Sequence, residues 1–318
     1  ASPLADDLDH VRQLEDAGAP AIVMRSLFEE QIVGDQMAAH RVLEGYEHAE
    51  AQTYLPDPGE MVFGPDEYLK HLSRLKKAVR VPVIASLNGT TLGGWLDYAQ
   101  LIEQSGADSL ELNLYSIPTG LEDSGSAVED RFVSMVATLK RSLRIPLAVK
   151  LSPFFTSLPH FVRRLERVGA DGVIIYNRFY QPDLDLEQLE VKHVLHLSTS
   201  SELLLRLHGL ALLSGRVTPS LAATGGVHAP LDAMKAVMCG AHAVQMVSAL
   251  LQRGLNTIRD VRTGLAELLE KHEYHSLRQA QGSMSLLKCP DPKAYERGNY
   301  MRMLNLWKAD ESMPRASR

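Results

Sequence analysis

The sequence predicts an α/β fold, a (β/α)8 barrel (TIM barrel) whose first strand is truncated in this chain. Short apolar strands alternate with amphipathic helices over most of the chain, the strands end in polar residues or glycines, and 318 residues are enough for one such barrel. Strands of a parallel sheet are buried on both faces, which explains their continuous apolar runs. We expect a single domain over residues 1–318, with a helical tail at about 273–318.

Eight strands are predicted from short apolar runs that are bounded by turn residues. The first of them is only the carboxyl end of a strand. In chain order, the predicted strands span residues 1–3, 21–24, 83–87, 109–114, 147–151, 172–176, 220–224 and 243–247.

Helices between the strands are predicted from apolar residues at helical spacing. Ser26, followed by Glu29, gives one helix a capping-type start, and Pro230 and Gly240 flank another. The predicted helices span residues 4–18, 26 onward, 67–79, 95–105, 127–143, 158–168, about 207–213, 230–239 and 257–272.

Two excursions interrupt this alternation. Residues 50–67 are rich in proline and glycine and are predicted as a loop. Residues 179–202 form a longer polar insertion with several apolar positions, which we expect to cover the mouth of the barrel. Beyond the last of these helices, residues 273–318 are polar with scattered aromatics and are expected to wrap either the barrel or a partner.

The composition is that of a soluble globular enzyme, with 45% hydrophobic and 23% charged residues. A net charge of −6 without any basic run argues against a nucleic-acid partner. No apolar stretch approaches the ~18 residues that a membrane span requires. The two cysteines, Cys239 and Cys289, lack metal-ligand spacing, so the simple expectation is a reduced, cytoplasmic protein without a metal site.

Candidate functional residues stand at the carboxyl ends of the predicted strands, because active sites of such barrels collect there. The set has no carboxylate pair and no His/Cys cluster, which argues against glycosidase and metal-hydrolase chemistry. Asparagine amides both donate and accept hydrogen bonds, which suits a planar heterocycle that carries imide groups. The set is Ser2, Arg25, Ser26, Asn88, Asn113, Ser116, Lys150, Asn177, Gly225, Gly226, Val247 and Ser248.

Several members of this set have two interpretations each. Gly225-Gly226 and Val247-Ser248 end the last two strands, where barrels frequently bind phosphate, but the glycine pair also fits a tight strand-to-helix turn. Lys150 within a barrel strand requires either a function at the site or a buried carboxylate as its partner. Asn113 and Asn177 are equally compatible with satisfied turn residues.

Several motifs, in order around the predicted barrel, resemble the signatures of dihydroorotate dehydrogenases. Four of them are Glu111-Leu-Asn-Leu-Tyr-Ser, Ala148-Val-Lys-Leu-Ser-Pro, Thr224-Gly-Gly-Val and Val244-Gln-Met-Val-Ser-Ala-Leu. The chain more closely resembles the bacterial dihydroorotate dehydrogenase-like branch of the family, through the motifs Ser26-Leu-Phe-Glu-Glu-Gln-Ile and Ala85-Ser-Leu-Asn-Gly-Thr-Thr. The similarity covers nearly the whole chain. It implies bound FMN, oxidation of dihydroorotate or a related dihydropyrimidine, an unidentified electron acceptor and a homodimer.

The resemblance also implies which residues contact FMN. The phosphate would lie on Gly225, Gly226 and the backbone of Val247 and Ser248. Lys150 would reach the N1–C2=O edge of the flavin, where a cation favours the anionic reduced form. The remaining cofactor contacts that the resemblance implies are Ala1, Ser2, Arg25, Ser26, Asn88, Asn113 and Asn177.

For the substrate, the resemblance implies contacts from Asn113 and Asn177 and a catalytic base at Ser116. An unperturbed hydroxyl is a poor base, so Ser116 needs a proton relay. The sequence also departs from the family pattern. Pro118 replaces a substrate asparagine, and Arg25 stands where soluble members usually carry lysine.

A further departure lies near Tyr54-Leu55-Pro56, where the family pattern Asn-x-x-Gly-x-x-Asn is absent. Since a site that is built to hydrogen-bond its substrate loses discrimination when such partners are missing, two alternatives stay open. One is a barrel that binds FMN without this turnover and acts as a subunit or scaffold. The other is a flavin-free phosphate-binding barrel such as an isomerase or aldolase.

Overall fold

The computed structural model describes residues 2–34, 64–93, 96–179, 181–192, 194–297 and 299–306. Within them, the strands are β1 (Ile22–Phe28), β2 (Val83–Asn88), β3 (Ser109–Leu114), β4 (Leu147–Leu151), β5 (Gly172–Ile175), β6 (Asp183–Asp185), β7 (Glu190–Lys192), β8 (Ser220–Thr224) and β9 (Ala243–Gln245). Seven of them form one parallel sheet in the spatial order β1-β2-β3-β4-β5-β8-β9, and β6 pairs with β7 in a separate antiparallel hairpin. This arrangement corresponds to seven of the eight strands of a (β/α)8 barrel and confirms the predicted fold class.

The sheet curls, as a barrel requires. Glu111 on β3 and Gln245 on β9 stand four strands apart in the sheet, which would be roughly 19 Å if it were flat and its strands were ~4.8 Å apart. Gln245 Nε2 nevertheless donates a hydrogen bond to Glu111 Oε2 at 2.6 Å. The inner faces of β3 and β9 therefore meet across the interior.

The residues before β1 do not form the strand end that was predicted at residues 1–3. Pro3–Ala5 is a 3-10 turn instead, and Ser2 caps it by accepting a hydrogen bond on Oγ from Leu4 N at 3.3 Å. Proline fixes φ near the helical value and cannot donate to a strand ladder, which favours this turn. Ala1 lies outside the described residues. In the described part of the chain, β1 and β9 are the two edges of the parallel sheet.

Helices alternate with the strands, as predicted, and most of their boundaries lie within a few residues of the expected ones. The largest differences, of about four residues, are at the helix Leu8–Asp16, which was predicted to begin at residue 4, and at the helix Leu203–Leu213, which was predicted to begin near residue 207. The helices are α1 (Leu8–Asp16), α2 (Pro65–Ala78), α3 (Leu96–Gln104), α4 (Gly125–Ser142), α5 (Leu158–Arg167), α6 (Leu203–Leu213), α7 (Pro230–Cys239), α8 (Ser248–Arg253), α9 (Thr257–Lys271), α10 (Leu277–Ala280) and α11 (Asn299–Leu306).

Alternation along the strands separates an apolar outer face from a polar inner face. On β3, Leu110, Leu112 and Leu114 belong to the main hydrophobic core. Glu111 and Asn113 lie between them and contact polar side chains of other strands. The same alternation that packs the strands against the helices therefore places polar groups inside the barrel.

The helix start predicted at Ser26 is also wrong. β1 extends to Phe28, so Ser26 lies in the strand and does not begin a helix. The register of β1 against β2 shifts between Val23 and Ser26, and Ser26 then pairs with Ser86. Tyr68 from α2 binds the backbone of Ser86, because its hydroxyl accepts from Ser86 N at 2.8 Å and donates to Ser86 O at 3.2 Å. Strand pairing therefore outweighs the local capping signal.

Carboxylates accept hydrogen bonds from the backbone at the amino ends of the strands. Glu103 Oε1 accepts hydrogen bonds from the backbone N–H groups of residues 144 and 145, both at 2.8 Å, just before β4. Asp108 Oδ2 accepts one from Val83 N at 2.7 Å and forms an ion pair with Lys76. This end of a barrel usually serves stability, whereas the polar candidate residues collect at the opposite end.

The insertion after β5 contains the hairpin of β6 and β7. Its leucines at positions 184, 186 and 189 are exposed. The loop predicted at residues 50–67 lies outside the described residues up to residue 63, and α2 begins at Pro65. The single-domain assignment and the covering role of the insertion stay predictions.

Part of the tail packs on its own barrel. Ala280 of α10 is fully buried in a cluster with Met234 and Val237 of α7. Tyr295 OH donates a hydrogen bond to Met284 O at 2.6 Å. Among the described residues, no helix combines the length and the apolar character that crossing a membrane requires.

Candidate functional site

Polar side chains from five strands meet on the inner face of the sheet. Most of them are buried: Ser86, Glu111, Asn113 and Lys150 are all less than 9% exposed. Buried polar groups are stable only when they are hydrogen-bonded, so this face requires partners for each of its members. The inner-face set is Ser26, Ser86, Glu111, Asn113, Lys150 and Gln245.

Asn113 is held by the ends of the two neighbouring strands. Its Nδ2 donates to Ser86 Oγ at 2.9 Å and to Ser26 Oγ at 3.0 Å, with Leu87 O at 3.3 Å. The two serine hydroxyls lie 2.8 Å apart. The amide therefore has a fixed orientation, and Asn113 and Ser26, which were predicted separately, belong to one network.

Lys150 has a buried carboxylate partner, which was one of the two interpretations of this residue from the sequence. Its Nζ donates to Glu111 Oε1 at 3.2 Å, and the other carboxylate oxygen accepts from Gln245 Nε2. Burial alone would raise the pKa of Glu111, but the charge of Lys150 and the hydrogen bonds from Gln245 and Lys150 lower it overall. Glu111 is therefore ionised, and Gln245 Oε1 is buried without a hydrogen-bond partner in the described residues.

The glycine pair after β8 makes a close contact with another element. Gly225 and Gly226 have φ of +82° and +83°, and a Cβ on Gly226 would lie 2.5 Å from Leu203 N. The turn therefore needs glycine for its own conformation and for its packing on α6. This observation supports the tight-turn interpretation and is compatible with phosphate binding.

Three chain segments converge at this turn. Ser198 is buried; its N–H donates to Ser248 Oγ at 3.0 Å, and its Oγ accepts weakly from Gly226 N at 3.4 Å. Ser198 thus joins the turn after β8 to the first residue of α8. We call Ser198, Gly225, Gly226 and Ser248 the glycine cradle. The sequence analysis identified all of it except Ser198, which lies in the insertion and carries no motif.

A buried arginine lies beside the cradle and was also missed. Arg206 Nε donates to Thr224 O at 3.0 Å, and Arg206 Nη2 is 3.1 Å from the position of a Cβ on Gly225. Burial lowers the pKa of Arg206, and the opposite charge of Glu202 counters this effect. A charged residue in the mainly apolar run Leu203–Leu213 was the available signal for it.

Aromatic side chains follow three successive strands of the barrel. Phe154 and Phe179 are in edge-to-face contact, with ring centroids 4.7 Å apart, and the Tyr115 ring lies 6.4 Å from Phe179. Ser116, the predicted base, is half-buried immediately after Tyr115. The mouth of the barrel therefore offers an aromatic wall beside Ser116.

The other predicted site residues have local partners or lie outside the described residues. Arg25 binds Asp6 Oδ2 through Nε and Nη2, at 2.9 and 2.6 Å. Asn88 pairs in register with Asn113, and the backbone N–H of Asn177 donates to Leu151 O at 2.7 Å. Val247 precedes α8, Ser2 caps the first turn, and Ala1 is outside the described residues.

A family model described as "Dihydroorotate dehydrogenase" matches residues 52–269. A protein of Aeropyrum pernix that is provisionally named dihydroorotate dehydrogenase A (fumarate) is 28% identical over 227 residues, which are 68% of this chain and 72% of that protein. The catalytic subunit of dihydroorotate dehydrogenase B (NAD(+)) of Methanosarcina acetivorans is 26% identical over 294 residues, 85% of this chain and 86% of that protein.

A third relative is the NAD-dependent dihydropyrimidine dehydrogenase subunit PreA of Escherichia coli K12. It is 25% identical over 232 residues, which are 68% of this chain but only 56% of PreA, so the match spans little more than half of that subunit. Among solved structures, DHODH of Eimeria tenella in complex with ferulenol aligns with a TM-score of 0.54 at 19% identity, over 69% of this chain and 68% of that one. At this identity, the structural similarity establishes the fold alone.

Proposed function

The chain belongs to the dihydroorotate dehydrogenase family, a family of oxidoreductases that act on CH–CH donors, and we propose that it oxidises dihydroorotate or a related dihydropyrimidine with bound FMN. The observation that carries the cofactor assignment is the glycine cradle at the carboxyl ends of β8 and β9. Phosphate sites of (β/α)8 barrels are frequently formed by the loops after the last two strands.

The residues of the cradle fit a phosphate group. At 3.4 Å, the N–H of Gly226 is only weakly engaged by Ser198 Oγ, so it is available to a stronger acceptor. Ser198 and Ser248 add hydroxyl groups, and the buried guanidinium of Arg206 adds positive charge beside Gly225. We assign the phosphate to this cradle together with the backbone at Val247.

The inner face fits a heterocycle with N–H and C=O groups. Lys150 carries three ammonium hydrogens, of which Glu111 takes one, and the buried Oε1 of Gln245 has no partner in the described residues. Asn113 lies on the same inner face, and Asn177 follows β5. FMN, when bound, supplies the acceptor for two electrons, and we assign these side chains to its ring and to the substrate.

Proton removal from the substrate falls to Ser116 in this proposal. It stands two residues beyond Leu114, the end of β3, and is half-buried in the loop that also carries Tyr115 of the aromatic wall. The hydroxyl needs a group that takes its own proton, because its ordinary basicity is low. Tyr115 is the competing base in the same loop.

We further propose a cytoplasmic homodimer, to which the exposed face of α11 contributes apolar area. Exposed side chains on this helix are Tyr300, Met301, Met303 and Leu304. The lack of a membrane-crossing helix in the described residues is compatible with this assignment.

A second candidate is a barrel that binds FMN without this turnover and serves as a subunit or scaffold. Two observations keep it beside the main proposal. Pro118 stands in the place of a substrate asparagine, and the charge of Lys150 is opposed by Glu111.

One experiment separates these candidates. The full chain is purified, its absorbance spectrum is recorded, and it is mixed anaerobically with dihydroorotate, dihydrouracil and dihydrothymine in turn. The main proposal predicts yellow protein with stoichiometric FMN that at least one of these compounds bleaches. Yellow protein that none of them reduces supports the second candidate. Protein that neither carries nor binds FMN contradicts both.

A further inference from the structure

We propose that Glu111 and Gln245 are positioning residues for Lys150, which set the charge around its ammonium group and thereby the reduction potential of the bound flavin. This inference deepens the proposed function and rests on it for the presence of FMN. Neither residue was a candidate in the sequence analysis, although both lie within the motifs at β3 and β9.

The geometry joins three strands through one carboxylate. Lys150 Nζ on β4 donates to Glu111 Oε1 at 3.2 Å, and Gln245 Nε2 on β9 donates to Glu111 Oε2 at 2.6 Å. Glu111 is 1% exposed and Lys150 is 7% exposed. Each carboxylate oxygen therefore has its own donor, and the ammonium is held at one place on the inner face.

This arrangement changes the charge that the site offers to a ligand. Burial raises the pKa of Glu111, but nearby positive charge, above all that of Lys150, and the two hydrogen bonds lower it overall, so Glu111 is ionised. Lys150 and Glu111 thus form a pair without net charge. In the weakly screening interior, a carboxylate next to the ammonium cancels much of the field that Lys150 would otherwise exert on a third group.

A purely structural role explains this trio poorly. Buried ion pairs stabilise proteins little compared with apolar side chains of the same volume, so the pair is not required for packing. Gln245 also keeps a buried oxygen without a hydrogen-bond partner in the described residues, a feature that costs stability. Both features are expected at an inner face that has to bind a polar ring and tune its charge.

The substitution Glu111→Gln tests the charge with little change in shape. The introduced amide accepts from Lys150 through its oxygen. Its NH2 group donates to Gln245 Oε1 once the Gln245 amide turns over, and the Gln245 NH2 group then takes the buried position that Oε1 had. The variant therefore keeps its hydrogen bonds while the opposing charge is removed.

FMN content and the two-electron midpoint potential are measured by spectroelectrochemistry on the full chain. We expect Glu111→Gln to bind FMN and to shift the midpoint to more positive values, because the unopposed Lys150 favours the anionic reduced flavin. The affinity ratio of reduced to oxidised FMN should rise about tenfold, which corresponds to about 30 mV for a two-electron couple. Glu103→Gln is the matched control, since it alters a carboxylate at the opposite end of the barrel, and its midpoint should equal that of the wild type.

Lys150→Met should shift the midpoint potential in the opposite direction and make the shift depend on pH. It leaves Glu111 buried without its cation, so the midpoint should fall where Glu111 is ionised and recover as the pH is lowered and the carboxyl is protonated. The double variant Lys150→Met/Glu111→Gln should lack this pH-dependent step.

The outcomes separate the inference from the proposed function. Wild-type protein that does not bind FMN contradicts the proposed function. FMN-loaded Glu111→Gln with an unchanged midpoint overturns the inference and leaves the proposed function intact. If Glu111→Gln does not fold, Gln245→Leu is measured instead. This substitution removes the hydrogen bond that partly neutralises the charge on Glu111 Oε2, so the midpoint potential should fall. An unchanged midpoint in Gln245→Leu also overturns the inference.

Discussion

The close approach of Gly226 to α6 gives a prediction whose size follows from the structure. In Gly226→Ala, the new Cβ would lie 2.5 Å from Leu203 N and 2.8 Å from Leu203 Cα, so backbone has to move. A left-handed conformation costs a residue with a Cβ ~1–2 kcal/mol, and overpacking costs another ~1–3 kcal/mol. We expect the free energy of unfolding to fall by ~2–5 kcal/mol.

Gly254→Ala is the matched control. Gly254 has the same φ of +83°, with a ψ of 169°, and a Cβ there would meet nothing within 4 Å. This backbone conformation is nearly restricted to glycine, so Gly254→Ala should lose only the conformational cost, ~1–3 kcal/mol. Urea unfolding at constant pH measures both variants, and FMN content is recorded alongside, since only Gly226→Ala should disturb the glycine cradle. Equal losses of stability, with FMN retained in both, would refute the close approach of the turn to Leu203.

Three further predictions concern the base, a buried hydroxyl and the pH dependence of stability. Ser116→Ala should retain FMN but slow flavin reduction by ~10²–10⁴-fold in anaerobic stopped flow, with Tyr115→Phe as the control; an unchanged rate in Ser116→Ala would exclude this base. Tyr68→Phe should lower the free energy of unfolding by ~1–3 kcal/mol, because it leaves the backbone N–H and C=O of Ser86 without their partner, whereas the exposed Tyr300→Phe should change little. Burial raises the pKa of Asp108, but hydrogen bonds from Lys76 and from Val83 N lower it overall. A carboxyl whose pKa is lower in the folded state stabilises the protein at pH values above its unfolded-state pKa. The free energy of unfolding should therefore fall as the pH drops below about 4. Asp108→Asn should flatten that fall in urea unfolding at several pH values, and an unaltered pH profile would count against the role of Asp108.

The strands and the mouth of the barrel were predictable because each signal is local. Apolar runs such as Leu147–Leu151 fix the strands, and polar residues beyond them fix which end carries the site. The positions of Asn113 and Lys150 near the mouth of the barrel could be predicted, because each lies near the carboxyl end of a predicted strand. The specific network could not be predicted, since Gln245 reaches Glu111 only because the sheet curls.

Other features could not be predicted, either because their determinants lie far apart in sequence or because a turn lacks its usual residues. Ser26 has a good local helix-start signal, but pairing with Ser86 keeps it in β1. The hairpin of β6 and β7 carries no glycine or asparagine turn, and Leu189 takes a φ of +54° instead. Ser198 reaches the glycine cradle through the insertion, and only its hydrogen bonds reveal that position.

The most direct test of the proposed function is a stoichiometric reduction under anaerobic conditions. FMN-loaded protein is titrated with the best dihydropyrimidine of the panel, and flavin bleaching is measured together with the oxidised pyrimidine that is formed. The proposed function predicts one pyrimidine formed for each flavin reduced, with Ser116→Ala slow in the same assay. Flavin that stays oxidised at every concentration of every dihydropyrimidine would contradict the proposed oxidation.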